Sequence, residues 1–417
     1  MSTPVIEDDG APDGPFFPPA GAAPSPGADP AAGASEGDGA RLERKARRRR
    51  RRRARRITYL VALIVLAPAI GSYVRALRYP GSASMAVRSI EWMRDHGGGS
   101  FVDNIEVWYY THNGPPAHGR PGGPFPAAPS VAALAASRQA LRTGHVGALH
   151  PGVAPTQPGE AEWNPGPTVG GGLPGIYTSW FRPDPKHPTL VAGVISVDPT
   201  AARLDLVAGT LEPGGGPWPG SSQVDPAQRD RTLAAFNSGF KIHDSHGAFF
   251  VDGRTSHRFQ VGSAALVIYR DGTATVGQWG RDVAMGPNVH AVRQNLSLIV
   301  DKGKPVPGLV HNWDKLWGSR KSQLEYVWRS GVGVDAQGHI IYVAGNKFTL
   351  QTLADALVQA GAVRGMQMDI HNAMVSANLF RPGPQGPQAT KLLPAMPRPA
   401  TRYLQPDQRD FFTVVAR

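Results

Sequence analysis

An eighteen-residue run without a single charge, ITYLVALIVLAPAIGSYV at positions 57–74, constrains this 417-residue chain more than any other feature. As a helix rising 1.5 Å per residue it would be about 27 Å long, close to the roughly 30 Å hydrocarbon core of a bilayer. Residues 41–56 just before it hold twelve Arg and Lys against one acid, Glu43. The positive-inside rule keeps such a cluster in the cytoplasm and sends the longer C-terminal part across the membrane. The competing readings are a nucleic-acid-binding arm followed by a buried helix, or a cleaved signal peptide. A signal peptide has a shorter apolar region nearer the start, whereas forty residues precede the charges here. The expectation is a single-pass membrane protein with a cytoplasmic N-terminus and an extracytoplasmic C-terminal domain.

The formal charge of +12 bears on partners only once it is located. The polybasic run carries +11 and residues 1–40 carry −7, which leaves +8 spread over more than 350 residues. That spread offers no stripe to track a phosphate backbone, so nucleic acid is not an expected partner. Cysteine is absent, which removes disulfides, thiol nucleophiles and Cys-ligated metal sites together. The high Arg, Ala, Gly and Pro content is read as the bias of a high-GC bacterial genome.

Residues 1–40 are Ala, Gly, Pro, Ser and acids, too polar to offset the entropy of ordering, and are expected to be disordered. After the apolar run, MAVRSIEWMRD (85–95) reads as an amphipathic helix stopped by glycines 97–99, and NIEVWYY as a brief strand. Residues 75–172 are otherwise Pro- and Gly-rich with one helical patch at 130–142, a stalk that can drape on the domain. From Leu173 to the end, short β-rich runs alternate with turn signals. LVAGVISVD and ARLDLVAG read as a pair about Asp198-Pro199; an Asp-Gly turn is expected at Asp252-Gly253, and hairpins at Asp271-Gly272, in NLSLIVDKGKPV and about Gln337-Gly338. TLQTLADALVQAGA is a helix, with Thr349 as N-cap and Gly361 at its C-terminal end, and RGMQMDI is the strand after it. The fold class expected is a mixed, strand-rich α+β ectodomain behind one N-terminal transmembrane helix.

Three places could carry chemistry. Side-chain alternation puts Met366, Met368 and Ile370 on one face of the last of these strands and Gln367, Asp369 and His371 on the other, at the strand's C-terminal end. Asp369 there could act as acid or base or bind hydroxyls or a metal; it could equally cap the next turn. AAFNSGF ends an apolar strand on Asn237, Ser238 and Gly239, a turn or a ligand edge. Arg329, opening the Gly-rich strand of EYVWRSGVGVD, is a planar donor fork for phosphate or a solvent-facing strand-end arginine. His243, His246, His257, His311 and His371 match no recognised zinc spacing. No GxSxG elbow, P-loop or dinucleotide fingerprint is present.

Taken in order, AAFNSGF, GAFFVDGR, WRSGVGVDAQGHIIYV, the helix and GMQMDIHNAMVS resemble the phosphodiester glycosidase family over roughly residues 173–415. Asn237, Ser238, Gly239 and Phe240 match its Asn-Gly-Gly-Phe-like strand end, and Arg329, Ser330, Gly331, Val332 and Gly333 its Arg-Thr-Ala-Val-Gly-like segment. Of its final Asp-Gly-Gly…Ser motif only Asp369 is kept, with Ile370, His371 and Asn372 in place of the small residues. The resemblance implies hydrolysis of a sugar-1-phosphodiester through an oxocarbenium-like transition state. It implies Asp369 near the anomeric carbon or its hydroxyls, Arg329 on the phosphate and His371 as a conditional acid or base. Asn237, Ser238, Gly239, Ser330 and Asn372 would be substrate contacts. No cofactor is implied, with a divalent cation left open; the partners implied are an envelope glycan and, through the one helix, the membrane. The alternatives are a glycan-binding or envelope-organising protein that has lost catalysis, and a metal-dependent phosphodiesterase.

Overall fold

The apolar run lies within one 44-residue helix, α1 (Ser35–Arg78), in the computed structural model, which describes residues 35–122, 125–319 and 325–417. The helix runs unbroken through the polybasic segment and Pro68, and it is long and apolar enough to cross a membrane. Leu63, Ile64 and their apolar neighbours are exposed along it, unlike those of a soluble core helix. Most of the tail expected to be disordered, residues 1–34, falls outside the described residues; residues 35–40 are helical, because they continue the first turns of α1. Residues 1–71 and 72–417 are separate compact units, and the second holds every sheet and the remaining helices.

Helix α2 (Met85–Met93) starts where expected, with Ser84 accepting a hydrogen bond from Val87 N. Arg88 fastens the approach to it by donating to the carbonyls of Leu77, Gly81 and Ala83. Residues 94–98 then widen into a π turn that leaves helical geometry at Gly97, φ 88°. NIEVWYY is not a strand but part of helix α3 (Gly99–His112), which buries Val102 and exposes Phe101, Ile105 and Trp108. Short β-branched and aromatic runs fit either period, and here the i, i+4 pair Val102 and Glu106 turned inward decides for the helix. Helix α4 (Val131–Thr143) is capped by Ser130 and by Gly144 in the left-handed conformation. The segment expected as stalk is packed beyond it: Trp163 is buried and donates to Gly147 O, and Glu160 holds Arg182 through Nε and the backbone amide.

Among the described residues the strands form three antiparallel sheets. The largest runs β1 (Asn164–Pro165), β2 (Ile176–Phe181), β3 (Ala192–Val197), β14 (Ile340–Phe348), β13 (Val327–Val334), β15 (Arg364–Ile370), β11 (Leu298–Asp301), β12 (Lys304–Pro305). A second is ordered β17 (Gln388–Lys391), β16 (Ala377–Arg381), β5 (Thr232–Asn237), β18 (Phe411–Ala416), β4 (Ala202–Val207). The third is ordered β7 (Arg254–Thr255), β6 (Phe249–Val251), β10 (Val289–Gln294), β8 (Ala264–Tyr269), β9 (Ala274–Gln278). A one-turn helix α5 (Ile242–Ser245) follows β5, and helix α6 (Leu350–Gln359) lies on one face of the large sheet. Leu350, Leu353 and Leu357 of α6 pack with Val343, Phe348 and Val300. On the opposite face Val332, Tyr342, Met366 and Met368 meet Phe236, Leu233 and Phe412 of the second sheet.

The turn expected at Asp252-Gly253 forms, closing a short hairpin, and so do the hairpins expected at Asp271-Gly272, Asp301 and Gln337-Gly338. The pair about Asp198-Pro199 does not: β3 joins β2 and β14, while β4 joins β18 in another sheet. The cause is local, since Asp198 turns its carboxylate onto Thr200 and His145 and redirects the chain between sheets. The whole is a strand-rich mixed α/β protein with one N-terminal helix of membrane-spanning length.

Candidate functional site

The ends of β5, β13 and β15 meet where the large and second sheets face one another. Asn237, closing β5, is buried and saturated: its Oδ1 accepts from Tyr342 OH at 2.8 Å and Ser376 N at 3.1 Å, and its Nδ2 donates to Ser330 Oγ at 3.0 Å. Ser330 in turn donates to the Asp369 carbonyl at 2.9 Å. Asn237 and Ser330 therefore lock three strand ends together, and their polar atoms point at protein.

Asp369 is the acid at the centre. It is 6 % exposed, its Oδ2 accepts from Arg409 Nη2 at 2.8 Å, and its Oδ1 accepts from the Ile370 amide. Burial pushes its carboxyl up to about 6, winning over the pull of Arg409 and the Ile370 amide. A carboxyl poised there can hold or release a proton near neutrality, which a solvated aspartate does not do. Arg409 also donates to the Gly239 carbonyl at 3.1 Å and so ties β5, β15 and the start of β18 to one guanidinium.

The simple alternation expected for β15 is broken. Gly331 pairs with Gln367 but Arg329 with Ile370, so β15 carries one extra residue, a bulge that re-aims the side chains beyond it. Gln367 accepts from Arg329 Nη1 at 3.2 Å, whereas Asp369 reaches Arg409. His371 then turns through φ 75° and brings its Nδ1 3.8 Å from Glu106 Oε2 of α3. Asp369 and His371 thus serve different neighbours instead of sharing a face. Burial, with Arg94 and Arg329 nearby, pushes the His371 ring down to about 3, so it is neutral at physiological pH.

Arg329 is fully buried and donates to Phe348 O, Gln367 Oε1 and Glu325 O. Burial lowers it to about 9, against the pull of Glu325. It is not a solvent-facing arginine: its guanidinium is buried among protein acceptors on β14, β15 and the segment before β13. Asn372 is exposed in the turn after β15, while Ser238 and Gly239 lie beside Asp410 and Asn295. A Cβ at Gly239 would fall 2.9 Å from Asn295, which explains the small residue there.

Several members of this cluster were not visible in the motifs. Arg409 and Asp410 precede the last strand; Arg293 Nε meets Asp410 Oδ2 at 2.7 Å; Asn295 Nδ2 donates to Gln367 O at 2.6 Å. Glu325 lies four residues before Arg329, and burial together with Glu106 pushes its carboxyl up to about 7. Ser238 Oγ, Asn295 Oδ1, Gln367 Nε2, Asp410 Oδ1 and Glu325 Oε2 are buried without a hydrogen-bond partner among the described residues. Among the described residues no group of three His, Asp or Glu is placed to hold a metal ion.

Helices α2 and α3 lie against this cluster. Lys241, just past Gly239, binds Glu91 Oε2 at 2.7 Å and Asp95 Oδ1 at 2.8 Å, and Arg94 pairs with Glu106 beside His371.

Fold and site define a layered, strand-rich protein with a buried carboxyl and arginine at converging strand ends. Residues 230–369 match the phosphodiester glycosidase family, the family that the motifs resemble. No curated protein matches the chain. Similar solved structures include the zebrafish N-acetylglucosamine-1-phosphodiester alpha-N-acetylglucosaminidase catalytic domain, auto-inhibited by its pro-peptide: 16 % identity, TM-score 0.40, 61 % of this chain and 88 % of that one. A hypothetical protein from Synechocystis has 14 % identity and TM-score 0.36, covering 58 % and 62 %. An exported protein from Burkholderia pseudomallei has 12 % identity and TM-score 0.27, covering 54 % and 74 %.

Proposed function

We propose that this chain is a membrane-anchored extracytoplasmic hydrolase that cleaves sugar-1-phosphodiester linkages in envelope glycans. One observation carries the reading: within the family-matched segment, Asp369 is buried beside Arg409 with its carboxyl poised near neutrality, amid buried polar groups lacking partners. A phosphate leaving group needs less protonation than an alkoxide, so a cation beside it can take much of the developing charge. Asp369 stabilises or attacks the anomeric centre, and Arg409 faces the leaving phosphate. Asn237, Ser330 and Arg329 position the strand ends, Ser238 and Asn295 meet sugar hydroxyls, and His371, being neutral, contributes hydrogen bonding rather than a proton. Helix α1, long and apolar with a polybasic N-terminal half, supplies the anchor and leaves residues 79–417 outside.

The test is to incubate the full chain in detergent micelles with a panel of sugar-1-phosphodiesters and envelope extracts, following released sugar and phosphomonoester. Turnover lost in Asp369→Asn with the melting temperature kept supports the reading; turnover unaffected by Asp369→Asn contradicts it.

A further inference from the structure

The uncharged run at 57–74 ends inside the second compact unit, where helix α2 is fastened to it. Ser72 Oγ accepts from Trp92 Nε1 at 3.0 Å and lies 2.9 Å from His96 Nε2. Tyr73 OH is 2.8 Å from Ser89 Oγ, and the Tyr73 ring stands edge-on to Trp92 with centroids 5.1 Å apart. Trp92 is in turn stacked on His96 at 4.4 Å. Arg75 and Arg78, exposed just beyond, mark where the apolar run gives way to charge. Amphipathic rings and cations on long stems are the side chains that sit at the headgroup level of a bilayer.

Helix α3 follows directly, joined to α2 through the π turn at 94–98. With about 3.6 residues per turn, Phe101, Ile105, Trp108 and His112 fall on one side of it, with Tyr109 at the edge of the row. Phe101, Ile105, Trp108 and Tyr109 are each more than half exposed, and His112 lies against Trp108 with ring centroids 5.2 Å apart. Val102 and Glu106 occupy the other side, where Val102 is buried and Glu106 pairs with Arg94 and approaches His371. The exposed acid Asp103 projects away from the row by the same periodicity, so no charged side chain interrupts it. A contiguous row of Phe, Ile and Trp on the surface marks a contact face, and its place in the chain says with what. The turn that carries α3 is tied through His96 and Trp92 to the residues closing the apolar run.

We propose that the Phe101–Ile105–Trp108 face of α3 lies in the headgroup–acyl boundary of the membrane that α1 crosses, as a second contact that rests on the bilayer without spanning it. The membrane itself comes from the anchoring proposed above; the lipid contact of α3 is additional to it. One face of α3 then meets lipid while the opposite face carries Glu106 toward His371. The His371 edge of the candidate site is thereby held about 10–12 Å, one helix diameter, from the membrane surface.

The chain has no cysteine, so a single introduced one can carry an environment-sensitive fluorophore with no other change. The test reconstitutes the full chain in phosphatidylcholine–phosphatidylglycerol vesicles doped with a lipid that bears a nitroxide high on its acyl chain. Labels are attached one at a time through Ile105→Cys, Asp103→Cys and Ile64→Cys, all at exposed positions. The label at Ile105 is expected to shift to the blue and to be quenched severalfold more strongly than the label at Asp103. Adding Phe101→Ser and Trp108→Ser, both at exposed positions that the fold does not need, is expected to remove most of that quenching. A label at Ile105 quenched no more than the one at Asp103 overturns the proposal, as does quenching that survives both serine substitutions. A blue shift without quenching means that protein, a second copy included, covers this face, and overturns it too. The label at Ile64 judges the anchor separately. Quenching there without quenching at Ile105 sinks the α3 contact and leaves the anchor standing, whereas quenching at neither position sinks both.

Discussion

Replacing Arg409 with methionine tests whether the pair at the centre of the site is an electrostatic unit. The guanidinium is buried against Asp369 Oδ2 at 2.8 Å and also donates to Gly239 O. Removing one partner of a buried pair leaves the other charge uncompensated, which typically costs about 3–5 kcal/mol. Asp369 can escape part of that by taking up a proton. Its carboxyl is already raised to about 6 by burial against the pull of Arg409, so losing Arg409 raises it further. A carboxyl whose folded value lies above its unfolded value of 3.8 favours the fold fully at low pH, and that stability is lost as pH rises through the folded value. In wild type the loss falls between about pH 4 and 6. In Arg409→Met it extends upward, and a further rise of about two pH units corresponds to about 2.7 kcal/mol of extra deficit at pH 8 compared with pH 5. The assay is denaturant unfolding of the second compact unit's signal in detergent micelles, run on both proteins at pH 5 and pH 8. Equal deficits at the two pH values would refute the reasoning, because the lost bond to Gly239 is independent of pH.

Thr349→Ala removes the side-chain acceptor for the Thr352 amide at the start of α6 and is expected to cost about 1 kcal/mol, read as a lowered unfolding midpoint. Met366→Ala opens a cavity between the large and second sheets and is expected to cost about 2–5 kcal/mol in the same measurement. His371→Gly relieves a non-glycine residue at φ 75°; its stability is expected to stay within about 1 kcal/mol of wild type or rise, and a larger loss would show that the imidazole is held by more than its backbone.

What the sequence shows and what it hides depend on the range of the forces involved. The hairpins at Asp252-Gly253 and Asp271-Gly272, the capped helix α6 and strand β15 are written in neighbouring residues, and all form. Asp369 was legible as a polar group ending an apolar strand, and the glycine that the family carries after its Asp has a physical echo in the left-handed turn at His371. The partners of Asp369 were not legible. Arg409 stands forty residues away in DQRDFF, a stretch with no periodic or turn signal of its own, and only the pairing of β18 with β5 brings it to the site. The bulge in β15 was equally hidden, since one extra residue changes which face Asp369 takes without altering composition. In the stretch before residue 173, proline and glycine signal loops that can drape on the domain, but the contacts that seat them, Trp163 packed with Tyr177 and Phe181 and Glu160 holding Arg182, join residues far apart in the chain and carry no local signal.

The most direct test of the central claim is to run the reaction in H2(18)O with a sugar-1-phosphodiester and locate the label by mass spectrometry. A glycosidase that breaks the bond between the anomeric carbon and oxygen places the label in the released sugar and leaves the phosphomonoester unlabelled, which is the result expected here. Label in the phosphate would mean attack at phosphorus, and with it a phosphodiesterase in place of the glycosidase built around Asp369 and Arg409.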